Sequence, residues 1–149
     1  MIRQTKSQMK IFKVVSDETP IMARYAQSVP AGFPSPAADY TEEEINFNTL
    51  LMPHPNATFV MKVQGDSMVE ANIPHDSLIV VDRSIKPSNN KIVVAVVNGE
   101  ITVKRFIKNS SGVRLMPANA KYKPIPITEE MDFQVWGTVT RIIIDALNV

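Results

Sequence analysis

Residues 91–107 read KIVVAVVNGEITVKRFI, and two apolar runs of strand length flank the dipeptide Asn98-Gly99. Asn-Gly is the pair best suited to a two-residue hairpin turn, because both positions of that turn need a positive φ. The stretch therefore predicts two antiparallel strands. In the second of them, alternation puts Thr102, Lys104 and Phe106 on one face, and Ile101, Val103 and Arg105 on the other.

Outward from this hairpin the chain reads as a series of short strands separated by turn residues. ATFVMKV (57–63) is a strand candidate that runs into Gln64-Gly65, and SLIVVDR (77–83) is a continuous apolar run of strand length. VRLMP (113–117) follows the hairpin, and FQVWGTVTRIIIDAL (133–147) closes the series as a long or bent strand. Such a pattern predicts a mostly β fold, a curled sheet or partial barrel. Eleven prolines in 149 residues argue against a mostly helical one. Upstream, DYTEEEINFNTLLMP (39–53) carries two competing signals. Thr41 and Glu44 have capping-box spacing for a short helix, while Ile45, Phe47, Thr49 and Leu51 alternate as in a strand. Residues 1–28 show weak periodicity, with a short strand expected around Ile11–Val15, and read as an arm.

Composition narrows the function classes. A chain of 149 residues, 44% hydrophobic and 21% charged, suits one globular domain. With no cysteine, disulfides and thiolate metal sites are excluded, and the two histidines, His54 and His75, show no ligand-like spacing. No apolar run approaches the ~18 residues of a membrane span, and the start lacks a signal peptide, so a cytoplasmic protein without membrane contact is expected. Charge is uneven. Arg3, Lys6, Lys10, Lys13 and Arg24 against Asp17 and Glu18 give residues 1–31 a net +3, which leaves −2 on the rest. The bulk of the chain is thus no basic nucleic-acid footprint, and any DNA contact is expected to be mainly indirect.

Three features carry possible chemistry. Ser67 in QGDSM (64–68) follows a glycine turn just past a strand end, where a side chain can face a cleft, although a lone loop serine is ordinarily a turn or cap residue. Lys104 is either an exposed strand lysine or a lysine buried beside Phe106. Burial would favour its neutral amine, which can act as a general base. Serine and lysine together make a nucleophile–base pair, completed by backbone N–H groups that stabilise an oxyanion. The third feature is VPAGFPSPAADY (29–40), in which Pro30, Pro34 and Pro36 surround Ala31-Gly32. By composition it is a linker. A substrate is the other reading, and the prolines there disfavour helix around the two small residues.

The segments AGFPSPAADY, GDSM, SLIVVD, NGEITVKR and LMPANAKYKPI, in this order and at these spacings, resemble the LexA/UmuD-type self-cleaving serine–lysine peptidases over about residues 31–145. The resemblance implies that Ser67 is the nucleophile, Lys104 the general base and Ala31–Gly32 the bond cut in the chain itself. It implies an N-terminal arm, residues 1–31, removed from a peptidase-like β domain, residues 32–149, with no cofactor and no metal. The UmuD-type members imply an SOS-response role after DNA damage. Cleavage would be stimulated by a RecA–single-stranded-DNA filament, and the processed homodimer would be an accessory subunit of an error-prone translesion polymerase of the polymerase V type, with a catalytic, UmuC-like subunit as partner. A self-cleaving transcriptional repressor of the LexA type is the alternative, although only 31 residues precede the expected cut. A non-catalytic binding module is a third reading. A signal-peptidase role would require a membrane anchor. Two departures stand beside the serine. Glu70-Ala71-Asn72 and Pro74-His75-Asp76-Ser77 replace stretches where the family often has glycine, and Asn72 is expected to take the left-handed conformation in its place.

Overall fold

The computed structural model describes residues 10–13, 22–25 (backbone only), 31–33 and 43–148. The described residues form two compact units. One contains residues 10–13 and 54–148, the other residues 22–25, 31–33 and 43–53.

The larger unit is built on one antiparallel sheet. Its strands are β1 (Lys10–Lys13), β4 (Thr58–Lys62), β5 (Leu78–Asp82), β6 (Ile92–Val97), β7 (Glu100–Asn109), β8 (Gly112–Met116), β9 (Ile125–Pro126) and β10 (Phe133–Ile143). They lie in the order β1-β4-β5-β10-β6-β7-β8-β9. The mostly β expectation holds, with the sheet open. The β6–β7 hairpin turns through Asn98 at φ 49° and Gly99 at φ 79°, the left-handed pair that the dipeptide requires. The last strand runs back into the middle of the sheet, between β5 and β6. Its pairing shifts register between Val139 and Arg141 on the β5 side and between Val135 and Gly137 on the β6 side. Such bulges bend a long strand and sharpen its twist.

Gly137 sits at this bend because of space. A Cβ there would stand 2.6 Å from Val81 Cγ1. Arg83 closes the same corner, with its guanidinium 4.4 Å over the Trp136 ring and Nε donating to Trp136 O.

Both faces of the sheet bury side chains, which fits the continuous apolar run of β6. Val94 and Val103 pack with Met61, Met68, Ile73 and Ile79 on one face. Val93, Ala95, Phe106 and Leu115 pack on the other. Cross-strand register keeps the partners together, with Val94 opposite Val103, Val93 opposite Lys104 and Phe106 opposite Leu115.

The smaller unit pairs β2 (Met22–Tyr25) with β3 (Glu43–Asn46) as a two-stranded antiparallel sheet. The chain then enters α1 (Phe47–Leu51), where the Asn46 side chain accepts from the N–H groups of Asn48 and Thr49. Residues 39–53 thus hold both a strand and a helix, but in the reverse of the order the signals gave: Glu44 lies in the strand, and Phe47, Thr49 and Leu51 of the alternating set lie in the helix. The helix is capped by Asn46 rather than started by the Thr41–Glu44 pair. Thr41 lies outside the described residues. The expected strand at Ile11–Val15 is observed as β1 through Lys13, with Val14 and Val15 likewise outside them.

Candidate active site

Ser67 and Lys104 are 37 residues apart in sequence, and the fold brings them together. Lys104 Nζ lies 3.1 Å from Ser67 Oγ, 2.8 Å from Thr102 Oγ1 and 3.0 Å from Val103 O. The position of the lysine follows from the alternation of β7. Thr102, Lys104 and Phe106 share a face, and both Lys104 (8% exposed) and Phe106 are buried. Of the two readings of Lys104, the buried one is observed.

Burial pushes the Lys104 amine down from its ordinary 10.5, because a desolvated ammonium loses hydration. In all three contacts Lys104 Nζ is the donor, to Ser67 Oγ, Thr102 Oγ1 and Val103 O, and both hydroxyls can also donate. A small cleft of about 90 Å3 opens over the pair, lined also by Gln64, Met68 and Ile101.

The turn that carries Ser67 is fixed from both sides. Met68 is buried in the core and anchors it from below. From the side, Asn119 Nδ2 donates to Asp66 O at 2.9 Å and Ala118 N–H donates to Ser67 O at 2.8 Å. Glu70 N–H returns a bond to Ala118 O at 2.9 Å, and the Tyr122 hydroxyl donates to the Asp66 carboxylate at 2.5 Å. That hydroxyl above all holds the Asp66 carboxyl below its ordinary 3.8 against the upward push of burial, helped by the backbone N–H of Asp66 and by the field of Lys121. Asp66 in turn raises the Tyr122 phenol.

The two family departures are accommodated by conformation. Asn72 sits at φ 60° and Asp76 at φ 68°, so residues other than glycine fill the left-handed positions. The second loop adds a contact, since His75 Nδ1 accepts the Gly65 N–H at 2.9 Å.

Asn119, Tyr122, Thr102 and His75 were not singled out from sequence. Thr102 was placed on the face of Lys104 without a role. Asn119 and Tyr122 lie in the segment LMPANAKYKPI, where no periodicity points at their partners. Ala31 and Gly32, the other candidates, belong to the smaller unit, where residues 31–33 are exposed and a Cβ on Gly32 would meet nothing within 4 Å.

A family model described as Peptidase S24-like matches residues 20–140, most of the chain. The chain belongs to this family. Among its relatives, Protein SamA of Salmonella typhimurium is 41% identical over 133 residues, covering 87% of this chain and 92% of that protein. Protein MucA of Escherichia coli is 38% identical over 122 residues, 81% and 83% of the two chains. The LexA repressor of Carboxydothermus hydrogenoformans is 40% identical over 105 residues, 69% of this chain and 51% of that repressor. These matches agree with the resemblance to the UmuD-type branch of the self-cleaving S24 peptidases. The matched span of the S24 model contains Ala31, Gly32, Ser67, Lys104, Asn119 and Tyr122.

Proposed function

We propose that this S24-like chain cuts its own Ala31–Gly32 bond, with Ser67 as nucleophile and Lys104 as general base. The observation that carries the reading is the 3.1 Å contact between Lys104 Nζ and Ser67 Oγ, made by an amine that burial pushes toward its neutral form. The neutral amine takes the Ser67 hydroxyl proton as Oγ attacks the Ala31 carbonyl carbon. Backbone N–H groups of the Ser67 turn stabilise the oxyanion. Collapse breaks the Ala31–Gly32 bond, and the Lys104 ammonium returns its proton to the departing Gly32 nitrogen. Water, deprotonated by Lys104, then hydrolyses the Ala31–Ser67 ester. The products are residues 1–31, ending in a carboxylate, and residues 32–149, beginning with a free amine. A small cleft and a small Ala-Gly pair match in scale.

The second stage of the proposal concerns use. The processed chain acts as a homodimeric accessory subunit of a translesion DNA polymerase in the cytoplasm, and a RecA–single-stranded-DNA filament promotes the cut. This reading rests on the UmuD-type resemblance. The 41% identity with SamA, matched over 92% of its length, supports it.

Mass spectrometry tests the first stage. Purified protein held at mildly alkaline pH should yield a new N-terminus at Gly32, and Ser67→Ala and Lys104→Ala should not. Equal cutting in both variants would remove the assignment. Co-purification of processed protein with a catalytic polymerase subunit tests the second stage.

A further inference from the structure

β1 covers an edge. Among the described residues it pairs with β4 alone, antiparallel, with Lys10 opposite Lys62, Ile11 opposite Met61, Phe12 opposite Val60 and Lys13 opposite Phe59. On its other side β4 meets β5 in unbroken register from Thr58 to Lys62, without proline or bulge. Without β1, β4 would therefore present a straight row of unpaired N–H and C=O groups, the kind of edge that takes up another strand.

The present occupant is held loosely. All four β1 residues are exposed, with Ile11 47% and Phe12 50% exposed, so main-chain bonds rather than buried side chains retain it. Its first pair also opposes two lysines, and like charges directly opposite are destabilising. Asp76 lies 3.8 Å from Lys62 Nζ, but both side chains are largely solvated and the pair is worth little.

We propose that the edge of β4 is a strand-docking site, capped by β1 in the uncut chain. A cut after Ala31 opens it to an extended segment of a partner protein that carries a carboxylate opposite Lys62 and apolar residues opposite Met61 and Val60. The opening rests on the self-cleavage reading above. Before the cut, the connecting chain supplies β1 at an effective concentration on the order of millimolar. After it, the pairings that hold residues 1–31 among the described residues are two of four residues each, β1 on β4 and β2 on β3, and isolated pairings of that size are marginal in water. A partner strand that replaces the lysine repulsion with an ion pair then wins the edge. This is β-augmentation, with affinity from the main chain and selectivity from the cross-strand neighbours.

The edge can be tested without the cut, in full-length Ser67→Ala protein. Ile11→Pro and Phe12→Pro each break β1 at an exposed position, and one of the two adjacent residues directs its N–H toward β4. The probes are three fluorescent octapeptides: residues 8–15 of the chain itself (QMKIFKVV), the same peptide with Lys10→Glu, and the Glu peptide N-methylated at positions 10–13. By fluorescence anisotropy the proline variants should bind the Glu peptide about two- to tenfold tighter than the Lys peptide. The N-methylated peptide should not bind, and Ser67→Ala alone should bind the Glu and Lys peptides at least about tenfold more weakly, because its edge is capped. Equal affinity for the Glu and Lys peptides, uptake of the N-methylated one, or equal binding by the capped chain would overturn the proposal. So would concentration-dependent dimerisation of the proline variants without peptide uptake, which would make a second copy the occupant. In active protein, hydrogen exchange at residues 59–62 should speed up once the Gly32 terminus appears. Unchanged protection after a proven cut would overturn the opening. A chain that yields no Gly32 terminus overturns the functional reading instead, and the peptide result then decides the edge by itself.

Discussion

Lys104 Nζ stands 3.1 Å from Ser67 Oγ, and among the described residues its other hydrogen-bond partners are Thr102 Oγ1 and Val103 O. Burial lowers the pKa of this amine, the direction that the proposed general-base role requires.

Cleavage should therefore climb with pH. Below the lowered folded pKa of Lys104 the neutral fraction grows about tenfold per pH unit, so the rate should rise with that slope and level off below 10.5, the ordinary value. Lys104→Arg should reduce cutting to background across the whole range, because a guanidinium does not deprotonate in this window. Rates of appearance of the Gly32 terminus from pH 6 to about pH 10 would show both effects. A flat profile would mean that Lys104 is not the titrating base.

The sequence exposed this pair unevenly. Alternation in EITVKRF correctly put Lys104 on the face of Phe106, because a strand's two-residue period is local. Its meeting with Ser67 is set by how β7 lies relative to the turn after β4, which no local pattern encodes. The same divide runs through the fold. Asn98-Gly99 announced its hairpin, since the turn conformation belongs to those two residues. The return of β10 to the middle of the sheet was not legible, nor was the pairing of β2 with β3, because both are choices among distant partners. β9 has two residues, Ile125 and Pro126, and is a strand only by virtue of β8 beside it. In residues 39–53 both local signals were misplaced: the Asn46 cap starts the helix where the alternation continued, and Glu44 of the capping-box pair lies in a strand fixed by its pairing with β2.

Gly137→Ala should destabilise the protein by about 1–3 kcal/mol, the usual cost of overpacking. Gly137 is not among the positive-φ residues, so its backbone would accept alanine, and elsewhere such a change gains stability through the unfolded state. Here the added methyl would stand 2.6 Å from Val81 Cγ1 and 3.4 Å from Asp82 O. Urea unfolding followed by Trp136 fluorescence measures the loss. Unchanged stability would show that Val81 turns aside at no cost.

Asp82 should govern part of the acid limb of stability. Burial would raise its carboxyl, but the hydrogen bonds from Ser84 and His54 outweigh that and hold it below its ordinary 3.8. His54 Nδ1 lies 2.6 Å from one carboxylate oxygen, and the Ser84 N–H and hydroxyl both donate to the other. As pH falls, the unfolded chain takes up this proton first. The stability contributed by Asp82 is thus complete above about pH 5, then declines through 3.8 and is lost once the folded value is passed. Asp82→Asn should cost about 1–3 kcal/mol at neutral pH and flatten the dependence of urea stability between about pH 5 and pH 2. An identical acid slope in the variant would place the titration elsewhere.

The brace on the Ser67 turn should matter to rate more than to stability. Asn119 holds Asp66 O and Tyr122 holds the Asp66 carboxylate, both on the residue before the nucleophile. Neither touches Ser67 Oγ or Lys104, so each acts by fixing where the turn lies. Misplacement of a reacting atom by about 1 Å can cost on the order of a hundredfold in rate, whereas one solvent-accessible hydrogen bond is worth about 1 kcal/mol of stability. Asn119→Ala should therefore slow self-cleavage by roughly ten- to a hundredfold, with the alkaline rise in rate unshifted because Lys104 keeps its surroundings. Tyr122→Phe, which leaves Asn119 in place, should slow it less. The double variant should fall short of the product of the two single effects, since both bonds restrain the same residue. Rates across pH together with urea stability for all three variants decide the matter. A parallel loss of stability and rate would reduce Asn119 and Tyr122 to structural residues, and a shifted pH profile would mean that they act on Lys104 rather than on the turn.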